Sequence, residues 1–267
     1  MKKNENYALI TGGSSGIGLA FARELASSGK NLVLVSRDEN LKNIAKDLET
    51  EFDVKVEILN VDLSVKSDLE KITKRLANGK NPVDVLVNSA GFVLHDSLVD
   101  GDLERQHTAF AVMAEAILVL SQSAATAMKK RGSGAIINIA STSGFLYAGN
   151  YSALKRWVIV YTQSLAIEIK GTNVSATAVC PGETKTNFHA NGGLKRPGIP
   201  EWLWCQPEQI ARDSLRAAEK KKAIFVPTAR WRLIAWACRH FQCLARLISR
   251  KLIAGRIKEV KQNNDRS

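Results

Sequence analysis

The sequence predicts an α/β fold: one doubly wound domain over residues 1–227, then a basic amphipathic helical extension over residues 228–267. Three observations predict it. Short runs of Val, Ile and Leu recur with little polar interruption, as in strands buried on both faces. These runs alternate with longer stretches whose apolar residues fall at helical spacing, the β-α-β pattern of a parallel sheet wrapped by helices on both sides. No linker divides the first 227 residues, so the alternation belongs to one body.

Taken in order, "YALIT" (7–11) is a strand, followed by a Gly-rich turn and a helix over 16–28. "NLVLVS" (31–36) is the second strand and "DENLKNIAKDLETEF" its helix. "KVEILNV" (55–61) precedes "SVKSDLEKITKRLA", where Ser64 is placed to cap the helix. "VDVLVNSAG" (83–91) leads into a long helical region over about 102–130. "GAIINIAS" (134–141) precedes a helix from about 150 to 170, and "NVSATAVCPG" (173–182) closes the series.

Composition narrows the class. Hydrophobic residues make up 45% of the 267, which suits a packed core and excludes a disordered chain. The start, "MKKNENYALITGG", has an apolar run too short for a secretory leader, and there is no run of 18 or more apolar residues. Cys180, Cys205, Cys238 and Cys243 show no zinc or CxxC spacing and read as reduced thiols of a cytoplasmic protein. His95, His107, His189 and His240 are scattered singly, so no metal site is expected. The net charge of +12 is uneven. From Thr228 to Ser267 ten Lys/Arg face only Glu259 and Asp265, a net +8, so the basic character belongs to the tail.

The first turn carries chemistry. In "TGGSSGIG", Gly12, Gly16 and Gly18 surround Ser14, Ser15 and Ile17 at the mouth of a helix. Glycine permits a tight turn and close backbone approach, and the helix N-terminus offers free N–H groups and a positive dipole end to a pyrophosphate. A plain strand-to-helix turn is the blander alternative. At the tip of the second strand stand Ser36 and Arg37, with Asp38 just beyond. An acid there suits the ribose 2′-hydroxyl of NAD, while a guanidinium suits a 2′-phosphate. Arg37 favours NADP(H) over NAD(H); Asp38 either meets the ribose or caps the next helix. Further on, "YSALK" places Tyr151 and Lys155 on one helix face. With four Tyr and 22 Lys in the chain, chance supplies roughly a third of such a pair, so its context decides.

That context is an ordered set: "TGGSSGIG", "VDL" (61–63), "NSAG" (88–91), "IINIAS" (136–141), "YSALK" (151–155) and "CPGETKT" (180–186). Over about residues 5–227 the chain resembles the classical short-chain dehydrogenase/reductase family. The resemblance implies a single Rossmann domain with a seven-stranded parallel sheet. It implies that Asp62 and Leu63 bracket the adenine, and that Asn88, Ala90 and Gly91 support the cofactor. Pro181, Gly182, Thr184 and Thr186 then lie along the nicotinamide. By the same resemblance Tyr151 is the acid/base, Lys155 its partner and a ribose ligand, and Ser141 the group that polarises the substrate oxygen. A free phenol has a pKa near 10, and a nearby ammonium is expected to lower it.

Two departures from the family pattern are visible. The family's usual relay Asn, on the long helix, falls at Met113, a weak acceptor that donates nothing. The loop from Ser141 to Tyr151 is ten residues, shorter than the family's, which leaves Ser143 as a stand-in for Ser141. Asn138 lies within a strand run and is no obvious substitute for the relay.

After Thr186, "NFHANGGLKRPGIPEWLWCQPEQ" combines Gly192, Gly193 and Gly198 with Trp202, Leu203 and Trp204. In the family this segment is a lid over the substrate; packing of the tryptophans onto the core is the alternative. In the tail, Trp231, Ile234, Cys238, Phe241, Ala245, Ile248 and Leu252 recur at steps of three and four, an amphipathic stripe, while Leu233, Trp236 and Leu247 face away from it. Docking on the domain or a second subunit, and an anionic membrane surface reached through residues 228–260, are the two main readings; nucleic acid is the least favoured. The function expected is an NADP-dependent oxidoreductase interconverting a ketone and a secondary alcohol, on a hydrophobic small molecule, in a homo-oligomer. The alternative is a non-catalytic NADP-binding sensor or scaffold with the same fold.

Overall fold

In the computed structural model of the chain, residues 6–186, 188 and 198–264 are described, with side chains as far as Gly255. Seven strands form one parallel sheet: β1 (Tyr7–Thr11), β2 (Asn31–Ser36), β3 (Val56–Asn60), β4 (Val83–Asn88), β5 (Gly134–Ile139), β6 (Val174–Val179) and β7 (Ile224–Phe225). Their order is β3-β2-β1-β4-β5-β6-β7, every pair parallel. This is a doubly wound Rossmann sheet, and the order reverses between β1 and β4. Alternate side chains serve opposite faces. Leu9, Val33 and Val35 join the core on one side, whereas Ala8, Ile10, Leu32 and Leu34 join the core on the other. Both faces are covered, so the strands need no polar side.

The helices are α1 (Gly16–Ser27), α2 (Leu41–Phe52), α3 (Lys66–Ala77), α4 (Leu103–Phe110), α5 (Ala116–Arg131), α6 (Asn150–Glu168), α7 (Pro207–Glu219), α8 (Ala229–His240) and α9 (Gln242–Asn264). Ser64 does not cap α3, which begins after Val65. Ser64 instead donates its hydroxyl to the Asp62 carboxylate at 2.7 Å, and Asp68 in the first turn accepts the Asp62 N–H. Asp38 closes the turn before α2 by accepting the Asn40 N–H at 2.9 Å. The long helix is interrupted. Asp102 caps α4, and a π-helical turn, Ala111–Glu115, joins α4 to α5 with Met113 fully buried at its middle. The whole run Leu103–Arg131 is apolar enough by composition to cross a membrane, but half of its most apolar window is buried within the protein.

The tail, expected as one helix, is two. The break is Phe241, at φ −110° and ψ 85°, which turns α9 away from the axis of α8. As a result the apolar stripe divides. Trp231, Ile234, Cys238, Ala245 and Ile248 pack against the domain, while Phe241 and Leu252 are exposed.

Candidate active site

A cavity of about 440 Å³ opens at the C-terminal ends of the strands, where the β-order reverses. Gly12, Ser15, Gly16, Ile17, Gly18, Arg37, Ala90, Gly91, Ser141, Tyr151, Lys155, Pro181, Gly182, Thr184 and Thr186 all line it. Ser14, Asp62, Leu63 and Asn88, also expected among the cofactor ligands, are not among these lining residues: Leu63 and Asn88 are buried, whereas Ser14 and Asp62 are partly exposed.

The turn between β1 and α1 is shaped by its glycines. Gly12 and Gly16 lie at φ +66° and +53°, the left-handed region that L side chains avoid. A Cβ on Gly18 would collide with the Gly12 carbonyl, so the helix start can press this close only without one. The Ser15 side chain makes no capping bond at the N-terminus of α1, and the first turn holds no acid. The residues present therefore fit a pyrophosphate: a cradle that side chains would fill, facing open helix N–H groups.

At the β2 tip, Ser14 and Ser36 pair through their hydroxyls at 3.0 Å, and Arg37 reaches Asp62 at 3.0 Å while remaining two-thirds exposed. Asp62 sits below the usual carboxylate range: the Ser64 N–H and hydroxyl and the Arg37 guanidinium outweigh the opposing effect of burial. Asp38 is turned into the α2 entrance, so the guanidinium, not this acid, lines the cavity. Leu63 is core.

The Asn88 side chain braces the ends of the strands. It is buried and donates to Ser121 (3.2 Å) and Asn138 (2.9 Å), and Asn138 donates to Thr162 (2.9 Å). This network ties the ends of β4 and β5 to α5 and α6. The next residues then reach the cavity: Thr11 Oγ1 accepts the N–H groups of Ser89 (3.0 Å) and Ala90 (3.2 Å), which places Ala90 and Gly91 on the wall. Asn138, dismissed as a relay, is a structural member of this network.

At the opposite end, the short loop keeps Ser141 in place. A 3₁₀ turn, Thr142–Phe145, follows it, and Gly144 presses so closely on α6 that a Cβ would lie 3.0 Å from backbone atoms of Lys155 and Arg156. Ser141 Oγ accepts the Ser143 N–H at 3.1 Å and its hydroxyl meets the Tyr151 phenol. Ser143 thus supports Ser141 rather than replacing it. Lys155 donates to the Ile139 carbonyl at 2.9 Å, with Nζ 5.6 Å from the centre of the Tyr151 ring. The expected lowering of the phenol's pKa is not found. Burial and the Glu183 carboxylate push Tyr151 well above 10, against a smaller effect of Ser141, and burial brings Lys155 down to about 8. Met113 lies where the relay position was expected. Its sulfur and the Lys155 ammonium both stand within 4 Å of the place a Gly91 Cβ would occupy. It is a thioether against a buried amine, with no proton to pass.

Nine wall residues were not anticipated as site residues: Ser89, Ile139 and Ala140 within the quoted motifs, and Phe92, Val93, His95, Thr142, Glu183 and Phe188. Phe188 tilts over Tyr151 with ring centres 6.3 Å apart. Of these, His95 carried a usable signal, since it follows "NSAG" at the C-terminal end of a strand, where such sheets bind ligands. The lid's Gly192 and Gly193, and His189, lie outside the described residues. At its other end Trp202 is exposed, with the Arg230 guanidinium 5.6 Å from its ring centre. The tail closes the back of the cavity. Trp231 donates to the Leu203 carbonyl at 2.8 Å, and its indole fills the space where a Gly182 Cβ would be.

A cavity that runs from a helix N-terminus to a half-buried phenol and a buried amine, on a seven-stranded Rossmann sheet, fits the class of oxidoreductases that use a nicotinamide dinucleotide. Residues 6–196 match the short chain dehydrogenase family, and the chain belongs to that family. It is 35% identical over 228 residues to an uncharacterized oxidoreductase of Staphylococcus saprophyticus, covering 83% of this chain and 94% of that one. Among solved structures it is similar to a short-chain dehydrogenase of Sphingobium yanoikuyae in complex with NADPH (TM-score 0.79, 29% identity, 89% of this chain and 95% of that one). It is also similar to the bulky-bulky ketone specific alcohol dehydrogenase of Comamonas testosteroni (TM-score 0.75, 27% identity, 89% and 93%).

Proposed function

We propose that the protein is an NADP-linked oxidoreductase that reduces a hydrophobic ketone to a secondary alcohol. The observation that carries this reading is the meeting of Ser141, Tyr151 and Lys155 at one end of the cavity that the glycine turn opens at the other. Bound there, the nicotinamide supplies or takes the hydride. Gly12–Gly18 and the α1 N-terminus suit the pyrophosphate, Arg37 a 2′-phosphate, Lys155 the nicotinamide ribose, and Pro181, Gly182, Thr184 and Thr186 the ring. NADP is favoured because Arg37 faces the cavity while Asp38 is engaged by the Asn40 N–H.

The proton chemistry follows from burial. Tyr151 stays protonated at neutral pH, so it is poised to donate to a carbonyl oxygen. Ser141 already accepts from Ser143, which leaves its own proton for the same oxygen. Val93, Phe92 and Phe188 make that end apolar, which suits a hydrophobic substrate, as the similarity to the bulky-ketone enzyme supports. A second copy of the chain is the partner suited to the apolar outer faces of α4–α6, where Phe110, Val160 and Ile167 are exposed. Free thiols at all four cysteines suit a cytoplasmic site.

The test is NADPH consumption by the purified chain with a panel of ketones graded in size and charge. Tyr151→Phe abolishes turnover and keeps NADPH binding, measured by calorimetry. Turnover that survives this change removes Tyr151 from the mechanism. NADPH binding without turnover on any carbonyl favours the sensor or scaffold reading.

A further inference from the structure

The inner face of the tail is fully committed. Ala235, Cys238 and Ala245 pack with Ala140, Phe145 and Ile159, and the buried Ser249 hydroxyl accepts the Tyr147 N–H at 2.9 Å. The rotation of α8 and α9 about their axes is thereby fixed, and the apolar side chains on their outer face cannot turn inward. Those side chains are large: Leu233 is 67% exposed, Trp236 52% and Leu247 52%, with Phe241 and Leu244 also open. Trp236 meets Phe241 edge-on at 5.9 Å, so the apolar surface of α8 extends to the break between the helices, and exposed Leu244 and Leu247 follow it on α9.

Charge separates the candidate occupants of this surface. Between Thr228 and Gly255 there are six cations, Arg230, Arg232, Arg239, Arg246, Arg250 and Lys251, and no acid. All six are exposed, and among the described residues none pairs with a carboxylate. A second copy docked by the same face would bring twelve such charges together. A nucleic acid would satisfy the cations but leave Leu233 and Leu247 in water. An anionic bilayer satisfies both: lipid headgroups take the guanidinium groups, the indole suits the interfacial layer, and the leucines reach the acyl boundary.

We propose that the outer face of α8 and α9 docks the protein on an anionic lipid surface. The test uses the full chain, because truncation would also strip Trp231 from Gly182. Sedimentation with vesicles of phosphatidylcholine, with and without phosphatidylglycerol, is measured for the wild type, Leu233→Glu/Leu247→Glu and Arg239→Gln/Arg250→Gln, each checked for an unchanged thermal melt. The wild type binds only the phosphatidylglycerol vesicles and releases as salt rises. The arginine pair loses about thirty-fold in affinity, since each basic residue near an anionic surface is worth roughly five-fold, and the glutamate pair does not bind. Failure of the wild type to bind, or binding that both variants retain, overturns the proposal. So does light scattering in which the glutamate pair lowers the oligomeric state while vesicle binding persists. None of these readouts depends on NADPH or a ketone, so failure here leaves the proposed reductase activity standing.

Discussion

Replacing Lys155 with Met should make the protein more stable while destroying its activity. Lys155 is buried, and burial holds its pKa near 8 instead of 10.5. Keeping the amine charged at pH 7 therefore costs the folded state on the order of 3 kcal/mol. Met removes that cost but leaves the Ile139 carbonyl without its donor, a loss of about 1 kcal/mol. The net expectation is a gain of about 2 kcal/mol at pH 7, or roughly 4–8 °C in melting temperature for a domain of this size. The sign of the pH dependence is set by proton counts. Between pH 8 and 10.5 the unfolded chain holds a proton that the folded chain has released, so the wild type gains stability as pH rises. By pH 9.5 it should recover about 2 kcal/mol, and the advantage of Met should vanish. Urea denaturation of both proteins at pH 7 and 9.5 measures this. A variant that is less stable at pH 7, or a difference that does not change with pH, would refute the argument that desolvation governs Lys155.

Two further outcomes are expected. Arg37→Ala should weaken NADPH binding by roughly 10- to 100-fold, the value of charge-assisted hydrogen bonds to a phosphate, and leave NADH binding unchanged; calorimetry with both cofactors checks it. Gly182→Ala should cost about 1–3 kcal/mol through overpacking against the Trp231 indole, and combining it with Trp231→Leu should recover most of that loss in a double-mutant cycle of thermal melts.

The strands were legible because both sheet faces are buried and the runs needed no polar residue. "YALIT" is fully buried along its length, as its composition implied. The glycine turn was legible because few side chains tolerate that backbone. The bonds of Asn88 to Ser121 and Asn138 were not legible, because a motif records which residues go together, not which side chains tie the strand ends to the helices. The break at Phe241 was hidden because the apolar spacing runs through it unchanged. Local backbone geometry decided there, without Pro or Gly to mark it. The π turn at Met113 was equally silent, since adding one residue to a turn leaves no compositional trace. The fate of the Tyr151 proton depended on burial and on Glu183, which a linear spacing of Tyr and Lys does not contain.

The seat of Trp231 on Gly182 also sets an order of events during synthesis. Gly182 belongs to the loop that walls the cavity, yet the side chain that backs it lies 49 positions later in the chain. A nascent chain that has completed β6 already holds Ser141, Tyr151 and Lys155, but not the support behind Gly182. Trp231 must be synthesised and packed before the wall at Gly182 has its backing, so the cavity should be completed only after the chain has been made well past β6.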